Sequence, residues 1–272
     1  LSSINHSNVI KYYSEGVGPM IFNGKEYEKK QYFIMEYAKY LTLFEYAQSG
    51  FSEKLTKLIC WIVFSTVNDC HKKGIFVSDI KLQNILVCDD FEIKLSDFGG
   101  ACKINPDDYK TKNIEGGVYS EPYGAPEIIN IPEENKSRRY NGIQAEIFSL
   151  GVLLFFLKTG VKPFENAKVN KDGKARDRWF NLIKNKDTKS FDIKASGLNS
   201  KYKESSKELK DLFFRMVSYE PSKRPSLDYI LRYDEFFKEI RDYIRDNGGL
   251  ENLKKELKDE RKKRYEILLE EI

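Results

Sequence analysis

The sequence feature that most constrains the fold is a segment that is apolar on almost every side. Residues 143–159 are mostly Ile, Leu, Val and Phe, and the longest apolar run, residues 147–157, is broken only by Ser149 and Gly151. That run is too short to cross a bilayer as a helix. A helix that is apolar all round is typical of a protein interior. The sequence therefore predicts a helical body built around this segment.

Composition argues against several classes of protein. The chain has 272 residues, 40% of them hydrophobic and 32% charged, which suits one large folded domain or two modest ones. A net charge of +4 is too weak at this length to indicate nucleic acid binding. With two histidines and four widely spaced cysteines, neither a zinc cluster nor a Ser-His-Asp hydrolase is expected. We expect an intracellular, cytoplasmic protein with reduced cysteines and no recognisable signal peptide.

Periodicity places the first elements. Residues 31–38 form an aromatic and apolar run that predicts a strand. A 3.6-residue period over residues 52–71 predicts a helix with Ser52 as its N-cap, ending at Lys72, Lys73 and Gly74. Residues 85–88 and 93–96 flank Asp89 and Asp90, an arrangement typical of a hairpin. Residues 97–127 show no period and predict a long functional loop.

The C-terminal third predicts further helices. Ser205 and Glu208 have the spacing of a capping box that opens one helix. Ser226 is expected to cap the next helix, which would run through Ile240. The sequence Asn247-Gly248-Gly249 then predicts a break before a charged helix that starts at Leu250. That helix could be a coiled coil, but a helix lying on its own domain fits at least as well. The fold class predicted is α+β, with a small sheet and a mainly helical body.

Four polar residues carry the candidate chemistry: Asp79, Lys81, Asn84 and Asp97. The hairpin would bring Asn84 and Asp97 to the same end, where an amide oxygen and a carboxylate suit Mg²⁺ bound to phosphate oxygens. Asp79 could accept the proton of an attacking hydroxyl. Lys81 could hold a transferring phosphoryl group as a compact charge.

These residues resemble the motifs of the eukaryotic protein kinase family. The catalytic loop H-R-D-x-K-x-x-N corresponds to residues 77–84, and D-F-G and A-P-E correspond to residues 97–99 and 125–127. The core helix motif D-x-W-S-x-G corresponds to residues 146–151, and the late P-x-x-R-P to residues 221–225. The turn at residues 6–10 and the hinge at residues 35–38 also resemble the family. Five motifs in the right order make coincidence a poor explanation.

The resemblance implies a role for each matched residue. Asp79 would be the catalytic base and Lys81 would steady the γ-phosphate, while Asn84 and Asp97 would bind Mg²⁺. A Lys at position 81 is similar to Ser/Thr rather than Tyr kinases. The hinge residues Met35, Glu36 and Ala38 would hold adenine through the backbone, and Leu86 would line the floor of that pocket. The implied cofactors are ATP and Mg²⁺, and the implied partners are protein substrates, with no nucleic acid and no membrane. The sequence does not indicate an oligomeric state.

The resemblance also implies two structural contacts. Arg224 would form an ion pair with Glu127 of A-P-E. Glu146, where the family has Asp, would hold the backbone of the catalytic loop.

Departures from the family pattern carry their own expectations. The Gly-rich loop, the strand Lys and its partner Glu lie upstream of the position of His6 in the family, and the given sequence does not contain them. We therefore expect residues 1–38 to be a partial N-lobe, residues 39–246 a C-lobe and residues 247–272 a charged C-terminal helix. This 272-residue chain alone is expected to transfer phosphate poorly. Ser78 replaces the family's Arg, so activity should not depend on phosphorylation of the loop.

Two other functions remain open at the sequence level. One is a pseudokinase or scaffold that binds partners or nucleotide without turnover, which retention of the four polar residues argues against. The other is a small-molecule kinase of the aminoglycoside type, which would lack the A-P-E and the late Arg. The basic stretch over residues 168–203 could be a docking patch, although a solvated insert is the interpretation that the sequence favours.

Overall fold

The computed structural model describes residues 5–88, 92–103, 113–115, 119–130, 139–256, 260, 262–263 and 266. The strands are, in chain order, β1 (Tyr12–Phe22), β2 (Lys25–Met35), β3 (Tyr40–Thr42), β4 (Ile75–Phe76), β5 (Ile85–Val87), β6 (Ile93–Leu95), β7 (Cys102–Lys103), β8 (Asn113–Glu115) and β9 (Arg139–Asn141). The helices are α1 (Leu43–Ala47), α2 (Glu53–Lys72), α3 (Pro126–Ile129), α4 (Gly142–Thr159), α5 (Arg178–Lys184), α6 (Thr188–Leu198), α7 (Ser200–Lys203), α8 (Lys207–Met216), α9 (Leu227–Tyr233), α10 (Lys238–Asn247) and α11 (Glu251–Glu256). The predicted α+β class is confirmed.

The N-terminal part is a long antiparallel hairpin of β1 and β2, of which the sequence analysis predicted only one strand. The turn is Asn23-Gly24, and both residues have positive φ, 51° and 72°. A two-residue type I′ turn requires that geometry, and Asn-Gly is its usual sequence. The strand predicted over residues 31–38 ends at Met35, which pairs with Tyr12, the first residue of β1. Beyond it, the ladder adds a single hydrogen bond, from the Glu36 N–H to the Lys11 carbonyl at 2.7 Å.

Helices α2 and α4 form the centre of the helical body, as predicted. The Ser52 hydroxyl accepts a hydrogen bond from the Leu55 N–H at 3.2 Å and so caps α2. Helix α4 ends at Gly160, whose φ of 77° suits a C-cap. Within the described residues, α4 is the one helix long and apolar enough to cross a membrane, but 83% of it is buried inside the protein. It is therefore the core helix, and its fully buried leucines each contribute about 1.5–3 kcal/mol by leaving water.

A close approach between α4 and α8 explains Gly151. A Cβ at this position would lie 2.8 Å from the Cβ of Met216 and 2.9 Å from a methyl of Val217. One turn further along α4, the ring of Phe155 lies 4.8 Å from the ring of Phe213 in α8. At Gly151, the backbone of α4 therefore packs against the side chains of Met216 and Val217. One turn later, the two helices are in contact through aromatic rings.

Small sheets attach the polar loops to this helical body. Strands β3, β5 and β6 form one antiparallel sheet, and β6 also exchanges backbone hydrogen bonds with Asn8 and Ile10. Strand β4, just before the catalytic loop motif, pairs with β7, just after Asp97-Phe98-Gly99. The predicted hairpin of residues 85–88 and 93–96 is confirmed as β5 and β6. Its turn at Asp89 and Asp90 lies outside the described residues.

The capping box predicted at Ser205 is displaced by one residue. Ser206 is the N-cap of α8, and its hydroxyl accepts a hydrogen bond from the Leu209 N–H at 3.2 Å. The Ser205 hydroxyl instead donates to the Lys201 carbonyl at 2.8 Å. Lys201 belongs to α7, so the Ser205 side chain binds the helix that precedes α8 and does not cap α8.

The single helix predicted from Ser226 through Ile240 is wrong. Ser226 caps α9 as predicted, but α9 ends at Tyr233. Asp234 is extended (φ −68°, ψ 133°), and its carboxylate accepts from the Phe236 N–H at 3.1 Å. This cap starts a new 3₁₀ turn that leads into α10. An Asp that caps a turn competes with helix continuation, which an apolar period does not reveal.

The C-terminal segment contacts the helical body. Gly248, with φ of 69°, ends α10 where the break was predicted. Leu253 in α11 is only 2% exposed. Further on, the Glu260 carboxylate accepts from the Ser52 N–H at 3.1 Å and from its hydroxyl at 2.7 Å. These contacts agree with a C-terminal helix that lies on its own domain.

Candidate active site

Asp79 and Lys81 lie together in the loop between β4 and β5. The Lys81 ammonium donates to Asp79 Oδ2 at 2.5 Å and to the Ser120 hydroxyl at 2.8 Å. Asp79 and Ser120 also line a narrow cleft, together with Tyr119, Tyr123 and Gly124. Ser120 is 39 residues from Lys81, so the cleft joins the loop after β4 to the segment before α3. One carboxylate, one ammonium and one hydroxyl thus converge at its mouth.

The two carboxylate oxygens of Asp79 differ in their hydrogen bonding. Its side chain is only 9% exposed, and its Oδ1 atom is buried without a hydrogen-bond partner in the described part of the chain. A buried carboxylate oxygen without a donor costs about 1–3 kcal/mol, so such atoms are rare. Oδ1 is therefore ready to accept a proton or hydrogen bond from a molecule that enters the cleft.

The backbone of this loop is held from the core helix α4. Glu146 in α4 is 3% exposed, and its Oε1 accepts a hydrogen bond from the Ser78 N–H at 2.6 Å. Its other oxygen pairs with Nε2 of His71, which is 1% exposed in the last turn of α2. The expectation that Glu146 holds the loop is thus met, and the longer side chain also reaches His71.

Three residues of the site adopt positive φ: Ser78 at 65°, Asp79 at 35° and Asp97 at 56°. Non-glycine residues pay about 1–3 kcal/mol for such a conformation, and it persists only where the surroundings impose it. The bond from Ser78 to Glu146 is one such constraint. Strain concentrated at polar loop residues is typical of functional sites.

Asn84 and Asp97 flank the paired strands of the β5–β6 hairpin at the same end. Asn84 precedes Ile85, whose partner is Leu95, and its carbonyl accepts from the Ser96 N–H at 2.8 Å. The Asn84 amide nitrogen donates to the Asp79 carbonyl at 3.0 Å. Asp97 Oδ1 accepts from the Gly99 N–H at 3.3 Å. The hairpin therefore brings Asn84 and Asp97 to the same end, as predicted, and Asn84 in turn contacts the backbone of Asp79.

The residues expected to hold adenine lie at the end of β2, in the segment that follows it, and in β5. Met35 ends β2 and is 46% exposed, Ala38 is half-buried, and Leu86 lies in the middle of β5. The Glu36 carboxylate accepts from the Lys94 ammonium at 2.5 Å and from the Lys11 N–H at 3.1 Å. Burial raises the pKa of Glu36, but these hydrogen bonds and the two lysine charges outweigh burial and lower it overall.

Arg224 and Glu127 form the ion pair that the motifs implied. Arg224 Nη1 and Nη2 donate to Glu127 Oε1 and Oε2 at 2.6 and 2.9 Å. Two further bonds run to the Gln144 carbonyl at 2.7 Å and the Ser218 carbonyl at 2.9 Å. The Arg224 side chain is fully buried, so this pair ties α3 to the core.

Comparison with known sequences places the whole arrangement in one family. The model of the family described as "Protein kinase domain" matches residues 1–237, which is most of the chain. The chain belongs to the protein kinase family. The recognition of Ser/Thr-type kinase motifs and the kinase-like α+β fold are thereby confirmed.

Individual kinases show moderate similarity. The chain is 34% identical over 167 residues to human "NUAK family SNF1-like kinase 1", which covers 61% of this chain and 22% of that protein. It is 28% identical over 233 residues to rice "CBL-interacting protein kinase 26" from Oryza sativa subsp. japonica, covering 84% and 40%. With "Developmentally-regulated protein kinase 1" from Dictyostelium discoideum it shares 31% over 224 residues, covering 82% and 26%. The kinase chain thus spans less than half the length of these relatives.

The donor set of this kinase fits Mg²⁺. Within the described residues, the Asn84 side-chain oxygen and Asp97 Oδ2 receive no hydrogen bond, while the other polar atom of each side chain is used to fix it. Free carboxylate and amide oxygens on fixed side chains are hard ligands of the kind that Mg²⁺ prefers. The protein groups present are therefore suited to the ion that the family implies.

Besides the contact of Lys81 with Ser120, two contacts of the site were not expected from the sequence. The first joins His71 to Glu146, and the second joins Lys94 to Glu36. The position of His71 in the last turn of a helix directly before the loop was a usable signal for the first contact. No local signal exists for the second, because Lys94 and Glu36 are 58 residues apart and meet only through packing of the hinge on β6.

Proposed function

We propose that this kinase domain transfers the γ-phosphate of ATP to Ser and Thr hydroxyls of proteins. The observation that carries the proposal is the buried Oδ1 of Asp79, which has no hydrogen-bond partner among the described residues and lies beside an ammonium that also contacts Ser120. A hydroxyl entering the cleft finds an acceptor for its proton at Asp79 and a positive charge at Lys81. That pair of groups suits attack of an alcohol on a phosphoryl group.

The proposed reaction follows from these positions. The substrate hydroxyl donates its hydrogen bond to Asp79 Oδ1, which takes the proton as the oxygen bonds to the γ-phosphorus. The bond between the γ-phosphorus and the bridging oxygen breaks, and ADP leaves. The Lys81 ammonium moves its contact from Asp79 to the transferring phosphoryl oxygens and stabilises their charge. Most of the rate gain comes from this positioning and charge stabilisation.

Nucleotide and metal roles complete the proposal. Asn84 and Asp97 would hold Mg²⁺, which when bound neutralises charge on the phosphates. The backbone of Met35, Glu36 and Ala38 would contact adenine, with Leu86 beneath the base. The ion pair of Glu36 with Lys94 and the backbone bonds to Lys11 fix the position of this hinge segment against β6.

Acceptor preference rests on Lys81 and Ser120. Their contact at 2.8 Å holds the Ser120 hydroxyl and the Lys81 ammonium beside Asp79. A short aliphatic hydroxyl then reaches Oδ1, whereas a phenol needs several ångströms more room between its backbone and its oxygen. We propose Ser and Thr acceptors on this basis.

The test uses the full natural chain with Mg²⁺ and γ-labelled ATP. Three degenerate peptide libraries, with a fixed central Ser, Thr or Tyr, serve as acceptors. We expect label in the Ser and Thr libraries and none above background in the Tyr library, with loss of transfer in Asp79→Asn. Nucleotide binding, measured by calorimetry, should persist in that variant. Binding of Mg·ATP by the wild type without transfer to any library would identify a pseudokinase and overturn the proposal.

An intracellular, cytoplasmic location is part of the same proposal. It is supported by the four cysteines, which are free thiols, three of them buried. Fractionation of cells that express the tagged full chain tests it, and recovery in a secreted fraction would contradict it.

A further inference from the structure

A concave groove lies between α5 and α6, well apart in sequence from the catalytic loop. Its cavity measures about 370 Å³ and is lined by Trp179, Leu182, Ile193 and Leu198, with Arg178, Lys194 and Gly197 at its edges. A second cavity of about 280 Å³ shares Trp179 and Leu198. The Trp179 ring is fixed by an edge contact with the buried Phe191 ring at 5.2 Å. Volumes of about 300–1,000 Å³ are usual for ligand sites.

Apolar side chains in this groove are exposed to water. Ile193 is 63% exposed and Leu198 is 76% exposed, although both belong to a helix whose Phe191 and Ala195 are buried. Helix α6 therefore presents apolar residues both to the core and to the groove. Neighbouring apolar side chains that are exposed to water do not stabilise the core and lower the solubility of the protein. Such patches are typical of a binding surface.

The stretch of sequence that contains the groove has an excess of positive charge. Residues 168–203 contain 11 Lys and Arg against four Asp and Glu, a net charge of +7, while the whole chain has only +4. Arg178 and Lys194 are exposed at the edge of the cavity, and neither forms an ion pair within the described part of the chain. An unpaired cation at the edge of an apolar recess attracts an acidic partner and steers its approach.

We infer that this groove docks an acidic peptide segment of a partner protein, with two neighbouring apolar side chains that enter the cavity. The apolar pair covers Trp179, Ile193 and Leu198, and flanking Asp or Glu residues face Arg178 and Lys194. Trp and Arg are among the residue types that dominate binding energy at protein interfaces. The docking site is separate from the cleft of Asp79, so binding here does not depend on phosphate transfer.

A basic and apolar surface can also bind anionic lipid. The shape of this one favours a peptide, because its apolar atoms line a recess between two helices. A lipid surface is flat on this scale and would leave the cavity unfilled. Vesicle binding is therefore an outcome that the experiment distinguishes.

Gly197 gives a sharp variant for the test. A Cβ at Gly197 meets nothing within 4 Å, and its φ is not in the left-handed region. Gly197→Glu therefore fills the groove and adds a negative charge without disturbing the fold, and Gly197→Ala is its small control. Gly249 has the same open surroundings outside the groove, so Gly249→Glu controls for the added charge.

The probe is a random 12-residue peptide library displayed on phage and selected against the full chain. This selection should enrich peptides with adjacent apolar residues flanked by Asp or Glu. A resynthesised peptide should bind the wild type, Gly197→Ala and Gly249→Glu equally by fluorescence anisotropy. Its Kd should rise at least tenfold for Gly197→Glu and for the double variant Arg178→Glu/Lys194→Glu.

Three results would overturn the inference. One is selected peptides without acidic enrichment. Another is equal affinity of the peptide for wild type and Gly197→Glu. The third is co-sedimentation with phosphatidylserine vesicles that is lost in Gly197→Glu while no peptide is selected. Phosphate transfer to the Ser and Thr libraries is measured on the same variants, and we expect it to be unchanged. A failure of docking therefore remains distinct from a failure of the proposed catalytic activity.

Discussion

The carboxylate of Glu146 accepts the backbone N–H of Ser78 at 2.6 Å, across 68 residues of sequence. Both residues are 3% exposed. Since Asp79 directly follows Ser78, this one contact sets the position of the candidate base from the core helix α4. The other Glu146 oxygen pairs with His71, so a single side chain joins α2, α4 and the loop that holds Asp79.

Glu146→Ala should therefore lower both stability and activity. It leaves the Ser78 N–H and the His71 ring buried without their partner, at about 1–3 kcal/mol each. Urea unfolding measures the loss, and kcat should fall with it because Asp79 is no longer held. Glu146→Gln keeps an acceptor for Ser78 and should lose less on both measures. An alanine variant as stable as the wild type would show that the contact is dispensable.

Asp79→Asn should abolish most of the phosphate transfer without unfolding the protein. Removal of a general base typically costs about 10²–10⁴ in rate. The amide keeps the shape of the carboxylate, so the thermal midpoint should change little. Asp69→Asn is the matched control, because Asp69 is 43% exposed at the end of α2 and should leave kcat unaltered. Full activity of Asp79→Asn would exclude this residue as the base.

Arg224→Ala should be among the most destabilising substitutions in the helical body. It removes a fully buried guanidinium and leaves Glu127, whose side chain is 16% exposed, without its partner. Breaking a buried ion pair from one side costs about 3–5 kcal/mol. Arg232→Ala is the control, since Arg232 is 61% exposed and its pair with Asp228 should contribute about 0–1 kcal/mol. Equal losses in the two variants, measured by urea unfolding, would contradict this account.

The hinge ion pair should contribute a pH-dependent increment of stability. The pKa of Glu36 is lowered below its usual value of 4.5 on folding. The stabilisation is therefore complete above pH 4.5 and is lost as the pH falls through the lower folded value. The Glu36→Gln variant should be less stable than the wild type by at most about 1 kcal/mol at pH 7, because the pair is partly exposed. At about pH 3 the difference should shrink, and a difference that grows in acid would refute the assignment.

Activity should not require phosphorylation of the loop at Thr111. Ser78 occupies the position of the family's phosphate-binding Arg, is buried, and donates its N–H to Glu146. A serine at this position offers no positive charge to a phosphate. Thr111 lies outside the described residues, and Thr111→Ala in the full natural chain should retain wild-type kcat. A large loss in that variant, with unchanged folding, would show that another cation takes the role of the Arg.

Local signals in the sequence predicted the elements whose causes are local. Helix α2 was found with its cap because an apolar period and Ser52 lie side by side, and α4 because its residues are apolar on every face. The strand β1 was missed although Asn23-Gly24 is typical of a hairpin turn. Its sequence shows no clear alternation of apolar and polar residues. The cap at Ser206 was misplaced by one residue because Ser205 and Ser206 compete for the same role. The break at Asp234 was missed because a capping Asp does not interrupt the apolar period.

By itself, the sequence identified the candidate groups for the chemistry, because Asp79, Lys81, Asn84 and Asp97 stand at motif positions in the family's order along the chain. It also determined the pairing of Arg224 with Glu127. Only the tertiary structure decided that Lys81 reaches Ser120 and that His71 meets Glu146. It also decided that one Asp79 oxygen has no donor in the described part of the chain. Those facts depend on how segments 39 to 75 residues apart pack against α4, and distances between packed segments are set by the whole core and not by any local pattern.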